Sequence, residues 1–351
     1  MHKRLVLSIF RNVLSFFVLL IIALGIFTYW GIGGSLPERI AIPLDQVANP
    51  VNWPIPEVLT VASYNIGHGH GIKEHSLDYR DKETVIRQLA SVADAMTQMN
   101  ADVFLLQEVD IDSDRSFRVN QIEFIKARTK HAYHACAMVW EKNYVPYPFW
   151  PLSHHLGYVR AANCILSRFP LSNHERIIFN KPASHPFWIN WGYIDRGIER
   201  ADVNIAGHKI ALVNIHLEAW DREARELQAT VTLDYIKEIK IPVILGGDFN
   251  TVPNNAMKTS DFSDDPGVDY TAEKTLNIIE KNGVDIKVAK LNAPDNAANQ
   301  LFTFRSDSPN RLLDHIYLFG GSLQFVDFRV VSEAGTASDH LPVIAKISYK
   351  N

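Results

Sequence analysis

Hydrophobic and polar positions fall into three regimes along this chain. From Val13 to Trp30 the sequence is uncharged and overwhelmingly apolar. From Gly31 to Glu57 periodicity disappears, and Gly31, Gly33, Gly34, Pro37, Pro43, Pro50, Pro54 and Pro56 punctuate the chain. From Val58 onward, short apolar runs alternate with segments of helical spacing. The three regimes predict an apolar helix, a partly extended stalk and a globular domain over residues 58–351.

Within the third regime, Val58 to Asn65 alternates like a strand, and Val103 to Gln107 is a short run fitting a buried one. Cys164 to Leu166, Ala201 to Ile205, Lys209 to Ile215, Pro242 to Leu245 and His315 to Phe319 have the same character, with a hairpin turn expected at Gly207-His208. Val85, Leu89, Val92, Met96 and Met99 recur at helical spacing, with Asn100 as a stop. Arg222 to Lys240 also reads as a helix, offering Leu227, Val231, Leu233 and Ile236 for a buried face. Strands and helices mix without a regular βα alternation or an internal repeat. One large α/β domain with mixed sheets is therefore expected.

The first regime has the dimensions of a membrane span: eighteen residues at the helical rise cover roughly 27 Å. Lys3, Arg4 and Arg11 precede it, and Tyr29 and Trp30 close it where aromatic residues favour the interface. A cleaved signal peptide is the rival, but its apolar stretch is normally shorter and ends in small residues. An uncleaved anchor is expected, with the basic flank cytoplasmic and the remainder on the periplasmic, extracellular or lumenal side. Cleavage would make the protein secreted instead.

Composition narrows the function classes. With 351 residues, 47% hydrophobic and 21% charged, the chain is neither disordered nor low-complexity. Cys136 and Cys164 are too few for a disulfide framework or a zinc ribbon and are expected as buried small hydrophobes. Net charge is −4, and removing the three basic residues of the flank leaves −7, so no general basic field recruits nucleic acid. Nothing calls for an obligate protein partner.

The chemistry-bearing residues gather where apolar runs end. Asn65 closes the first strand and Gln107-Glu108 the second; Asn214 and His216 close a later one; Asp248 and Asn250 follow PVILGG; Asp314 opens a strand; Ser338-Asp339-His340 precedes LPVIAKI. Each alone has a structural explanation as a cap, a turn residue or a solvated end. Together, acidic, amide and imidazole groups beside apolar runs are expensive to bury unpaired, and their convergence suits a hard cation and a phosphate.

In company these segments resemble the endonuclease/exonuclease/phosphatase superfamily, from Val58 to Ile347 and in family order. The resemblance rests on SYNIGHG at 63–69, DVFLLQEVD at 102–110, AANCILSRFPL at 161–171, VNIHL at 213–217, GGDFN at 246–250, LLDHIYL at 312–318 and SDHLP at 338–342. It implies a four-layered α/β sandwich, two mixed β-sheets face to face flanked by helices, that hydrolyses phosphoesters by in-line attack of water with Mg²⁺ or Mn²⁺. Carried over residue by residue, Glu108 binds the metal with Asn65 and Asp339 close by. Asp248 orients or deprotonates the water, and Asn250 contacts phosphoryl oxygens. His340 acts as base or donor with Asp314 on its other ring nitrogen, and His216 contacts the phosphate. Asn163 supports the phosphate site or its loops. Structural zinc is not expected without a cysteine or paired-histidine cluster. His315, the strand neighbour of Asp314, points to the opposite face and is expected in the core.

Substrate signals lie outside the motifs. Tyr144 to Trp150 and Phe187 to Tyr193 are dense in aromatics, expected either as packed loops or as a rim facing a membrane or apolar substrate. Arg160, Arg196 and Arg200 are candidate phosphate contacts, and His68 and His70 candidate substrate contacts. The leading expectation is a membrane-anchored phosphodiesterase acting on a lipid-linked or small phosphodiester. An exported endonuclease is the enzymatic alternative, and a catalytically silent phosphate-binding module the non-enzymatic one.

Overall fold

The structure, a computed structural model, describes residues 2–34, 36–45, 47, 53–72, 81–253, 255–282, 287–288 and 302–349. Pro50 of the expected stalk lies outside the described residues. In chain order the elements are α1 (His2–Ile32), β1 (Arg39–Ala41), β2 (Leu59–Asn65), α2 (Lys82–Met99), β3 (Val103–Asp110), α3 (Gln121–Thr129), β4 (Tyr133–Val145), β5 (Gly157–Ser167) and β6 (Leu171–Ile178). They continue as α4 (Phe187–Gly192), β7 (Gly197–Ile205), β8 (His208–His216), α5 (Arg222–Glu238), β9 (Val243–Asp248), β10 (Ser260–Phe262), β11 (Asp265–Asp269), α6 (Thr275–Asn282), β12 (Lys287–Val288), β13 (Asp314–Phe319), β14 (Leu323–Val330) and β15 (Val343–Tyr349).

Two mixed sheets dominate. One has the order β14-β15-β2-β3-β5-β4, the other β1-β6-β7-β8-β9-β13-β12. Strands β2 and β3 pair in parallel, as do β8 and β9, and the remaining pairs are antiparallel. Strand alternation sorts the core into layers. In β3, Val103 and Leu105 point between the sheets with Leu212, Ile244 and Ile316. Phe104 and Leu106 point outward beneath α2 and α3, against Leu89, Met96 and Ile125. On the other side Val213, Leu245 and Tyr317 meet Leu233 and Ile236 of α5 and Ile279 of α6. The result is the expected four-layered sandwich.

The helices form for local reasons. Asp81 caps α2 by accepting from Thr84 N, and Asn100 ends it in the left-handed conformation. Asp221 caps α5 by accepting from Ala224 N. The face of α5 differs from the expected one: Leu227 and Val231 are exposed, while Ala224, Gln228, Thr232 and Tyr235 join Leu233 and Ile236 in the buried stripe. At the β7–β8 hairpin the turn is one residue earlier than expected, because His208 already pairs with Ile205 and Ala206-Gly207 carry the positive φ angles.

Two further differences arise from pairing that sequence patterns do not display. Cys136 and Cys164 are joined in a disulfide, not left as free thiols, because the antiparallel register of β4 and β5 sets them directly opposite one another. Within the stretch expected as a stalk, Arg39–Ala41 adds an edge strand to β6, and Arg39 pairs with Glu175 and Glu238. Helix α1 contains a span of 27 residues, Val6–Ile32, with the length and composition to cross a membrane. It is exposed along its length and meets the domain near its C-terminal end.

Candidate active site

The site forms where the two sheets end together. Asn65 is the last residue of β2, His216 of β8 and Asp248 of β9. Antiparallel pairing brings the first residue of β13, Asp314, directly opposite Asp248. It also returns the segment before β15 to the Asn65 end, where Ser338 Oγ donates to Asn65 O at 2.8 Å. Glu108 arrives by a different device. The β3–β5 register shifts between Leu106 and Val109, and Glu108 takes a φ of 57°. Such a bulge re-aims a side chain that regular alternation would place elsewhere.

A continuous chain of contacts links the two sheets. His216 Nε2 lies 3.7 Å from Glu108 Oε1 and 3.4 Å from Asp248 Oδ2. Asp248 Oδ2 also accepts from Asn65 Nδ2 at 3.1 Å and lies 3.6 Å from His340 Nε2. His340 Nδ1 is 2.8 Å from Asp314 Oδ2. Asp248 Oδ1 accepts from Asn250 N at 2.8 Å in an Asx-type turn, and Asn250 Nδ2 donates to Leu217 O. Asp339 is buried beside Ser338, whose hydroxyl lies 3.2 Å from its Oδ1.

Electrostatics separates the histidines. Burial disfavours a charged His340, but Asp314, Asp248 and Asp339 outweigh it and raise the imidazole well above its usual range. His216 moves the opposite way: burial, then Arg196, keeps it neutral, and Arg196 Nη1 sits 2.6 Å from its Nδ1. Burial pushes Asp248 up to about 6 against the pull of His340. Asp110, also fully buried, is held well below the carboxylate range because Arg115 and His68 outweigh desolvation.

The remaining expected residues divide. His68 is in the cluster, its Nε2 3.2 Å from Glu108 Oε2 and its Nδ1 2.9 Å from Arg115 Nη2, so it faces the carboxylate expected to bind metal. Asn163 lies one layer behind, donating to Gly197 O, and Gly197 is the partner of His216 across β7–β8. Arg160 is not brought to the site: it is committed to Glu141, because the two face each other across β4–β5. Arg200 is likewise held by Asp202 and Glu175. Of the three arginines, Arg196 alone is buried against the cluster. His315 is buried in the core as expected, beside Phe249 and with burial lowering it to about 4. Arg115 and Asp110 were not anticipated. Asp110 closes the DVFLLQEVD run, but nothing in the sequence pairs it with Arg115.

The donor chemistry suits a divalent cation. Glu108, Asp110, Asp248, Asp314 and Asp339 gather around His68, His216 and His340, with Arg115 on Asp110 and Arg196 on His216 among the described residues. Asp248, Asp314 and His340 also bring one ligand atom each within 4.8 Å of one another.

The chain matches the Endonuclease/Exonuclease/phosphatase family over residues 62–340. It belongs to that family. Members are generally hydrolases acting on phosphoesters and generally depend on a divalent metal. No curated protein matches the chain in sequence. An endonuclease/exonuclease/phosphatase from Beutenbergia cavernae superposes with a TM-score of 0.59 at 17% identity, covering 84% of this chain and 72% of that one. A mannosyl-6-phosphatase from Bacteroides thetaiotaomicron gives 0.54 at 18% identity, covering 82% and 99%. The human Nocturnin catalytic domain, with bound sulfate, gives 0.54 at 17%, covering 84% and 94%. These likenesses establish the endonuclease/exonuclease/phosphatase fold.

Proposed function

We propose that this family member is a membrane-anchored, divalent-metal-dependent phosphodiesterase acting on a lipid-linked or small phosphodiester. The observation that carries the reading is Asp248, fully buried between His216 and His340 with Asn65 donating to the same oxygen. A carboxylate so held is positioned to align a water molecule and accept its proton. His340, with its Nδ1 on Asp314 and three carboxylates around it, serves as the imidazolium donor. Water attacks phosphorus in line, its proton passes to Asp248, and the bond to the leaving oxygen breaks as His340 donates a hydrogen bond or proton. His216, neutral beside Arg196, and Asn250 contact the non-bridging oxygens, with Asn163 bracing His216 through Gly197.

Glu108, Asn65 and Asp339 would hold Mg²⁺ or Mn²⁺, with His68 orienting Glu108. All three are oxygen donors, which Mg²⁺ prefers; the Asp248–Asp314–His340 trio contains an imidazole already hydrogen-bonded at 2.8 Å. When bound, the cation supplies charge to the phosphoryl oxygens. The domain is assigned to the periplasmic, extracellular or lumenal side, a placement that the Cys136–Cys164 disulfide favours.

The full chain, purified in detergent, is expected to hydrolyse bis(p-nitrophenyl) phosphate with Mg²⁺ or Mn²⁺. EDTA or His340→Ala should abolish turnover, and persistence under both would reject the site. Parallel assays on phospholipid vesicles, plasmid DNA and p-nitrophenyl phosphate divide the substrate classes. Plasmid nicking with inert vesicles would replace the lipid reading with an exported nuclease.

A further inference from the structure

Two loops on one edge keep large aromatic side chains in water. Residues 144–156, where β4 passes to β5, contain no Asp, Glu, Lys or Arg, and expose Tyr147, Phe149, Leu152 and Trp150, the last 78% accessible. Residues 182–194, between β6 and β7, are equally free of those charges, with Phe187 82% and Trp188 60% accessible. Scattered exposed apolar residues are ordinary, but uncharged clusters of Trp, Phe and Tyr mark an interaction surface.

The same edge grips the end of α1. Asn143 Nδ2 donates to Trp30 O at 2.8 Å, and the Tyr144 ring lies 5.4 Å from Phe27. Gly31 approaches Trp191 so closely that a Cβ there would sit 3.0 Å from its ring. The point at which the apolar helix ends is therefore fixed to the two aromatic loops, which must lie at the level of the interface if α1 spans the bilayer.

We propose that this edge is a bilayer-docking surface: Tyr147, Phe149, Trp150, Leu152, Phe187 and Trp188 enter the interfacial layer of the membrane that α1 crosses. Trp, Tyr and Phe gain most at that depth, where an apolar ring meets hydrated headgroups. A single span held to the domain at one end leaves the tilt of both against the bilayer unset; a second contact beside it fixes that tilt. The second loop also leads into the catalytic cluster. Tyr193 Oη donates to Glu218, and Arg196 lies against His216. Docking thus turns the pocket toward the headgroups, which deepens the lipid-phosphodiester reading and rests on the anchored reading of α1.

The test uses the full chain carrying α1, in phosphatidylcholine nanodiscs. Phe149→Cys and Phe187→Cys carry an environment-sensitive fluorophore, as does Val326→Cys on β14 at the opposite edge of the six-stranded sheet. Doxyl-labelled lipid is expected to quench the first two at least about five-fold more than the third. Equal quenching at all three sites, as a protein-docking surface would give, overturns the proposal. Trp150→Ser/Trp188→Ser is expected to lower hydrolysis of vesicle phospholipid about ten-fold with bis(p-nitrophenyl) phosphate turnover unchanged, and an equal loss on both substrates also overturns it. Should neither protein cleave vesicle lipid, the substrate reading fails separately, and the quenching result alone decides docking.

Discussion

Asp314 Oδ2 holds His340 Nδ1 at 2.8 Å, which leaves Nε2 to face Asp248. The first residue of β13 thereby fixes the ring orientation and favours the protonated state of a histidine 26 residues later. Asp314→Asn preserves shape but removes the negative charge that holds His340 as an imidazolium. It is expected to lower kcat by roughly 10²–10⁴-fold with little change in KM. Steady-state kinetics, with circular dichroism to confirm the fold, checks this. A loss confined to KM would assign Asp314 to binding.

Glu108 reaches the pocket only through the bulge in β3, at positive φ. If it holds the cation, Glu108→Gln keeps the volume and removes one charge from the ligand set. The Mg²⁺ concentration giving half-maximal activity should then rise at least about ten-fold, with partial rescue at high metal. Metal titrations of activity decide it, and an unchanged midpoint with reduced kcat would move the metal to other ligands.

The convergence of this candidate site is legible in the sequence because the candidate side chains sit beside apolar runs, and the two sheets end together. Asn65, His216, Asp248 and Asp314 follow that logic at strand ends and Asp339 and His340 just before β15, whereas Glu108 lies inside β3 and is turned in by its bulge; the order of the motifs carried the fold. What pattern could not supply was register. Only β4–β5 pairing makes neighbours of Cys136 and Cys164, and the same pairing ties Arg160 to Glu141. Arg196, Arg160 and Arg200 look alike as letters; burial against His216 distinguishes the first. Leu227 and Val231 mislead because α5 buries small and polar residues instead, including Ala229, Gln228 and Thr232. Arg39–Ala41 is short and charged at its start, so its edge pairing has no periodic signature.

Glu199 lies between the sheets, fully buried, 3.2 Å from His174 and 3.1 Å from Asn214. Burial raises its carboxyl from 4.5 to about 7, although His174 and Asn214 pull it down. With the folded pKa above the unfolded one, its contribution to stability is complete below about 4.5 and is lost as pH rises toward about 7. That loss amounts to roughly 3 kcal/mol at most. Glu199→Gln should remove this component. Urea unfolding of both proteins from pH 4.5 to 8 is expected to show wild type losing stability relative to the variant across the window. A constant difference would mean that Glu199 keeps the same protonation state folded and unfolded.

Gly246-Gly247 immediately precede Asp248, and the two glycines face different neighbours. Gly247 has a φ of 152°, and a Cβ there would lie 1.9 Å from the carbonyl oxygen of Ile215 on β8. A Cβ on Gly246 would lie 2.7 Å from Leu105 Cδ1 on the opposing sheet. Backbone cannot yield without breaking the parallel β8–β9 ladder that brings His216 beside Asp248, whereas a leucine tip can rotate at some packing cost. Gly247→Ala should therefore cost roughly 3 kcal/mol or more, and Gly246→Ala about 1–2 kcal/mol. Thermal and urea unfolding of the two variants tests the ranking. A Gly246→Ala protein less stable than Gly247→Ala would show that packing between the sheets, and not the approach of β9 to β8, limits this corner of the site.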